Sequence, residues 1–529
     1  MPEAAAEFDA LSQEFFGPWF RYHPDRAVEL GIDGFERLLP AQSDDELGAL
    51  LAWLESLVVA LEEIDYPALD GARRIDLRLM FGAARVEHQE LLERDWRHRD
   101  PLRFLPIGEI FRLTLRPPEE VREALVSLLR RVPEYLRLAI THLRPMAELT
   151  SPALAEAAVD EAERGRCYLR ELAGSAWLRS HCHGCAEIER LVDDACTALT
   201  GYAEALRREI APRAHQPLGC GERHLQLIFM HRHFMELDPV RSGALLENAL
   251  AQSEEELAAL CDDTGIARVA AAAHCEANAV PAAARVETCR RESDRLADFL
   301  RHSRLVSLPD ASLRISERLP CPRPQRFAGE YVPDQEGGSG VLFLAGGLTT
   351  EPMVALRARC IDEGWGGTHL LTFAGGAEGK RIARCLCGGT SLRIAWGLYL
   401  RERLAALGYM TADDRFHALL HRQHLLRRGL LDLSLNLAAA DRTDLSAGAA
   451  PATDVVELAR RPGDALAGAL GWQALVQARQ LAERHEGKGF SERAFHDRLL
   501  SHGPIPLPLI LSEELGIEVW QSISRDLGV

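Results

Sequence analysis

Histidines, cysteines and glycines cluster at several places where their spacing could support chemistry. His181–Cys185 reads HCHGC, two imidazoles and a C-x-x-C in five residues. A single C-x-x-C without a second ligand pair is weak grounds for structural zinc, and four ligands so close in sequence cannot easily surround one ion. Cys385 and Cys387 in RCLCGG, with Cys360 upstream, could act as nucleophiles or soft ligands. Buried thiols serving as small apolar groups are the commoner use. His417 and His421 stand at i, i+4, with His424 beyond, and MHRHF occupies Met230–Phe234. Neither group has the Glu partner of a zincin, so a packed or solvated helix face is the better reading. AGGAEGKR (Ala374–Arg381) lacks the first glycine and the closing Ser/Thr of a phosphate loop. GGSG (Gly337–Gly340) lacks the spacing of a nucleophile elbow.

The elements that carry these residues are mostly helices. From about residue 5 to 300, stretches such as Asp45–Glu63 and Pro118–Leu143 repeat apolar residues at i, i+3, i+4 and i+7. Pro117 and Pro118, before a Glu-rich turn, mark one helix start. Leu308–Arg326 holds four prolines and cannot be a long helix. Two strand-like runs follow, Phe327–Val332 and Val341–Ala345, joined by the hairpin-like PDQEGGSG. A helix is then expected with Thr350 as its N-cap and Pro352 in its first turn. Helices resume to about Asn436, the chain loosens through Asp441–Thr453, and a last helical section runs from Pro462 to about Leu515. The fold class is mainly α, with a small β-hairpin or sheet element around residues 327–346. A helical region, 1–308, precedes a second region, 309–529, in what reads as one continuous globular unit.

Composition narrows the function classes. The chain has 529 residues, with 61 Lys+Arg against 79 Asp+Glu and a net charge of −18. That balance argues against nucleic acid as a partner, since phosphate binding needs clustered cations. No apolar run is long enough to span a membrane, and the acidic N-terminus has no secretion-signal pattern. Twelve cysteines are then best read as reduced thiols in a cytoplasm.

Several segments, in order along nearly the whole chain, resemble the bacterial family known as domain of unknown function 885, whose members look like zinc metallopeptidases. RYHPDRAVELGIDGFERLLP (Arg21–Pro40), RVPEYLRLAITHL (Arg131–Leu143) and GEYVP (Gly329–Pro333) match its opening, middle and hairpin. IDEGWGGTHLL (Ile361–Leu371) stands where the family has HExxPGHHLQ, and GGTSLRIAWGLYLRERL (Gly388–Leu404) where it has EGWALYAE. RGLLDLSLN (Arg428–Asn436) is similar to RLVVDTGLH. PGDALAGALGWQAL (Pro462–Leu475) and FHDRLLSHGPIPLPLI (Phe495–Ile510) are similar to the C-terminal signature.

The resemblance implies a large helical metallopeptidase-like fold and locates the chemistry. In such a site helix-borne His ligands hold zinc, a Glu beside the first activates water, and a second helix supplies a carboxylate. Here the first His is Asp362, the base is kept as Glu363, and of the paired His, Thr368 and His369, the second is kept. The second-helix carboxylate is Ile394, the downstream His is Asn436, and a Tyr-Lys pair is Gly468-Ala469. The candidate catalytic residues are therefore Glu363, His369, Tyr399 and Asp432, and the candidate ligand-binding residues are Arg428, Trp396 and Tyr331. Asp362 and His369 are the remaining metal candidates, for no metal or weakly bound zinc. Two functions lead, with a purely structural role as an oligomeric subunit behind them. One is a member that has lost peptidase activity and binds a peptide, small molecule or protein partner in the retained cleft. The other is a metal-dependent hydrolase or repurposed biosynthetic enzyme using Asp362, Glu363 and His369.

Overall fold

A computed structural model describes residues 2–182, 186–267, 273, 275, 278–319, 330–334, 338–387, 391–437 and 452–529. It is mainly helical, 75% helix against 5% strand. Local sequence explains the helix ends. Asp44–Glu63 opens on a capping box in which Ser43 accepts from the Glu46 amide and Glu46 reaches back to Ser43. Val121–Leu143 begins three residues past Pro118, because Glu119 and Glu120 form a turn that Glu120 closes as N-cap.

Apolar stripes bury into two main cores. One gathers residues between Ala4 and Ile210, together with Ala383. The other gathers residues between Cys220 and Leu527, and borrows Ile75 and Leu79 from the Gly71–Arg94 helix. Asp76 on that helix is nearly fully buried and pairs with Arg381 and Arg384, the latter at 2.9 Å. The helix thus ties the two cores by packing and by charge.

The β element has two parts. β1 (Ala279–Pro281) pairs antiparallel with β5 (Thr350–Pro352). β2 (Ser312–Arg318), β3 (Glu330–Asp334) and β4 (Ser339–Ala345) form a sheet in the order β2-β4-β3. The expected hairpin is the antiparallel pair β3–β4, with Tyr331 opposite Leu342. Phe327–Gly329 lie outside the described residues. β2, which pairs parallel with β4, falls inside the proline-rich stretch from which only the absence of a helix is legible. The expected N-cap at Thr350 is corrected. Thr350–Pro352 are strand, and the next helix, Met353–Asp362, starts after Pro352, which is its N-cap.

Candidate functional site

The Met353–Asp362 helix ends at the glycine-rich turn, and Thr368–Ala374 starts after it. The turn is tight. A Cβ on Gly367 would lie 1.9 Å from the Asp362 carbonyl oxygen, so no side chain fits. The His369 amide donates to the Glu363 carbonyl at 3.0 Å, and Trp396 Nε1 donates to the Gly366 carbonyl at 2.7 Å from the Ser391–Ala406 helix. Trp396 is therefore committed to holding the turn.

Asp362 faces Arg401, two turns along the Ser391–Ala406 helix from Ile394. Arg401 Nη2 donates to Oδ2 at 2.7 Å and Nε to Oδ1 at 3.2 Å, a bidentate pair. Arg401 is 4% exposed and the Asp362 side chain 33%. Burial works against the Asp362 charge, but the Arg401 guanidinium holds the carboxyl below its ordinary range. His417 and His421 stack at 6.2 Å. Burial, helped by the Arg401 charge, lowers them to about 4 and about 3. The i, i+4 pair is thus a half-buried neutral stack beside an ion pair.

Glu363 accepts from Thr368 Oγ1 at 2.8 Å and lies 3.4 Å from Arg393. Burial raises its pKa above the usual carboxylate value, against the pull of Arg393. His369 is fully buried in an aromatic box, its ring 4.5 Å from Trp365, 5.1 Å from Phe373 and 5.5 Å from Tyr331. Its Nδ1 pairs with the Tyr331 hydroxyl at 2.7 Å, and its Nε2 has no hydrogen-bond partner. Burial lowers His369 to about 4, so the ring is neutral. Gly340 on β4 makes room for Tyr331, since a Cβ there would sit 2.1 Å from the Tyr331 hydroxyl.

The other candidates do not converge on these groups. Tyr399 pairs with His496 Nε2 at 2.7 Å, while His496 Nδ1 pairs with the Leu305 carbonyl at 2.7 Å. The carbonyl can only accept, so Nδ1 carries the proton and Tyr399 donates to Nε2. Burial pushes the Tyr399 phenol up and His496 down to about 4. Asp432 accepts from the Gly463, Ala465 and Leu466 amides at 3.0–3.1 Å and from Asn436 Nδ2 at 2.9 Å. It caps the Asp464–Glu486 helix, and burial pushes it up to about 7 despite those donors. Asn436 also accepts from the Cys220 amide. Arg428 pairs with Asp454 at 3.1 Å and Glu457 at 3.4 Å. Ile394 packs on Gly468, where a Cβ would come 2.6 Å from the Ile394 Cβ.

Outlying motifs resolve plainly. His181 stacks on Trp177 in an exposed position while Cys182 is buried, and His183–Cys185 lie outside the described residues. Cys385 Sγ donates to the Gly379 carbonyl, and burial pushes Cys387 up to about 12. His233 in MHRHF is buried with neither ring nitrogen hydrogen-bonded, Asp464 lying 3.5 Å away. Among the described residues no three His, Cys, Asp or Glu side chains come together as a metal's ligand set.

Sequence reasoning passed over Arg401 and Arg393, and read Thr368 only as a lost ligand, although these three hold the two acids. It also passed over an open cleft of about 590 Å³. Leu308, Pro309, Phe373 and Leu500 give the cleft apolar walls, and Asp310, Asp497 and Lys380 give it charge. Phe373 is shared between this cleft and the His369 box. Ala374, Gly376, Ala377 and Lys380 all belong to the segment rejected as a phosphate loop. Its signal was composition, since Lys380 is one of two lysines in the chain, with Lys488.

Residues 24–513 match the family described as bacterial protein of unknown function, DUF885. Two solved structures of putative lipoproteins share the fold. One, of unknown function, from Shewanella oneidensis, is 14% identical with a TM-score of 0.72, over 96% of this chain and 99% of that one. The other, from Colwellia psychrerythraea, is 16% identical with a TM-score of 0.77, over 99% and 98%. No curated protein matches. Among the described residues, no helix is long and apolar enough to cross a membrane.

Proposed function

The chain belongs to the bacterial family of unknown function DUF885, and we propose that it has given up zinc-peptidase chemistry and binds a short peptide or small molecule in the cleft beside His369. The observation that carries this reading is the Asp362–Arg401 pair. A guanidinium takes both carboxylate oxygens at the position where the family resemblance expects the first metal ligand. With Ile394 at the second-helix position and His369 Nε2 alone in an aromatic box, the residues present do not fit a catalytic zinc, which takes three protein ligands. Mostly apolar walls with a few charged groups, at this volume, suit a small ligand.

A hydrolase reading keeps one supporting observation. The raised Glu363 pKa suits a general acid or base, and the His369 Nε2 makes no hydrogen bond.

Metal content after zinc loading separates the two, measured by plasma mass spectrometry on wild type, Glu363→Gln and His369→Ala. Background metal in all three is expected. Near-stoichiometric metal lost in His369→Ala would overturn the proposal and call for peptide and ester substrates. For the cleft, a ligand found by library screening is expected to protect Lys380 from acylation while Lys488 reacts unchanged. We also place the protein in the cytoplasm. Cell fractionation tests that, and recovery with membranes would overturn it.

A further inference from the structure

Cys360 does not join Cys385 and Cys387 near the glycine-rich turn. It meets Cys289 on the Arg285–Ser303 helix, 71 positions away, with the two sulfurs 3.6 Å apart. Both residues are essentially inaccessible, and Cys360 Sγ also lies 3.5 Å from the Cys289 carbonyl. The approach is held by charge on either side. Arg285, one helical turn before Cys289, donates to Glu351 at 2.9 and 2.7 Å. Arg359, next to Cys360, donates to the other oxygen of the same carboxylate at 2.7 Å. Glu351 on β5 therefore clamps both helices beside the thiols.

We propose that Cys289 and Cys360 are a reversible dithiol–disulfide site that staples the Arg285–Ser303 helix to the helix ending at Asp362. A disulfide bond is about 2.05 Å long, so closure needs an approach of about 1.5 Å, within reach of a side-chain rotation. A small-molecule disulfide is the oxidant. One thiolate attacks it and expels a thiol, and the second thiolate then displaces the remaining half. One S–S bond forms and one breaks. Two electrons pass to the reagent, whose two sulfurs leave as thiols carrying the two protons. The hydrogen bond that the Cys360 thiol donates toward Cys289 and burial both push the Cys360 thiol up, so the exchange is slow and proceeds through local opening.

The test treats the full chain with oxidised glutathione in mild urea, traps free thiols with N-ethylmaleimide, and maps peptides without reduction. The expected product is a peptide joining the Cys289 and Cys360 segments, about 2 Da lighter than the two thiol forms together, and reversed by dithiothreitol. The oxidised protein should melt about 3 °C higher, because a long loop is closed in the unfolded chain. Cys289→Ala should lose both effects and keep its helical circular dichroism. Mixed disulfides confined to exposed thiols such as Cys167, or a bridge from Cys360 to another cysteine, would overturn the proposal. The wild-type map decides even where the variant does not fold.

Discussion

The Asp362–Arg401 pair carries the functional argument, and a double-mutant cycle measures how firmly it is made. With the nearest N···O distance at 2.7 Å, the charge centres lie about 4 Å apart, worth about 4 kcal/mol at an effective dielectric of about 20. Asp362 is a third exposed, and solvent screening reduces the coupling to about 2 kcal/mol. Asp362→Asn, Arg401→Met and the double variant, unfolded in urea at pH 7, should return that coupling. Because Arg401 is buried, 0.5 M salt should change it little. The sign of the pH dependence is also fixed. Asp362 has a lowered folded-state pKa, so its contribution is present above its unfolded value near 3.8 and is lost only below it. The coupling should thus be equal at pH 7 and pH 5. A coupling under about 0.5 kcal/mol would refute the reasoning, since the carboxylate would then be free to serve a metal.

Asp432→Ala strips the acceptor from three helix amides and an amide side chain, and should cost about 3 kcal/mol in urea unfolding. A silent variant would contradict the capping role. Tyr399→Phe leaves His496 Nε2 without its donor and should cost about 1–2 kcal/mol while cleft-ligand affinity stays unchanged; a binding defect would return Tyr399 to the site. Gly468→Ala forces a Cβ onto Ile394 and should cost about 1–3 kcal/mol, checked by the shift of the urea midpoint. The buried histidines His233, His369 and His496, each lowered to about 4, bind fewer protons folded than unfolded between about pH 4 and 6.5. Each withdraws up to about 3 kcal/mol of stability across that fall in pH. Asp432, raised to about 7, acts in the opposite sense and is outnumbered. The urea midpoint should therefore drop from pH 7 to pH 5, and a constant midpoint would show that these rings are solvated.

Helices were readable because each buries one stripe, so apolar spacing and capping residues such as Ser43 announce them locally. β2 was not, because its partner β4 lies 27 positions on and parallel pairing leaves no turn signature. Glu363, Asp362 and His369 flank the turn that the family resemblance marks, but their side chains turn to different partners. What each does there was not legible, because it depends on contacts distant in sequence. Arg401 comes from another helix, Tyr331 from a strand, and the amides that take Asp432 lie some thirty residues downstream. The cleft was missed for the same reason, as its walls come from four separate segments.

The Ile394–Gly468 contact also couples a reversal at either position to a reversal at the other. On the proposed descent, both residues replaced larger or charged predecessors. A carboxylate restored at 394 alone would be pressed against the helix backbone at Gly468. A bulky side chain restored at 468 alone would collide with the branch of Ile394. Each reversal is uphill until the other has happened. Selection acting on single substitutions therefore holds the present pair in place, and a return to the older chemistry would require crossing a less stable intermediate.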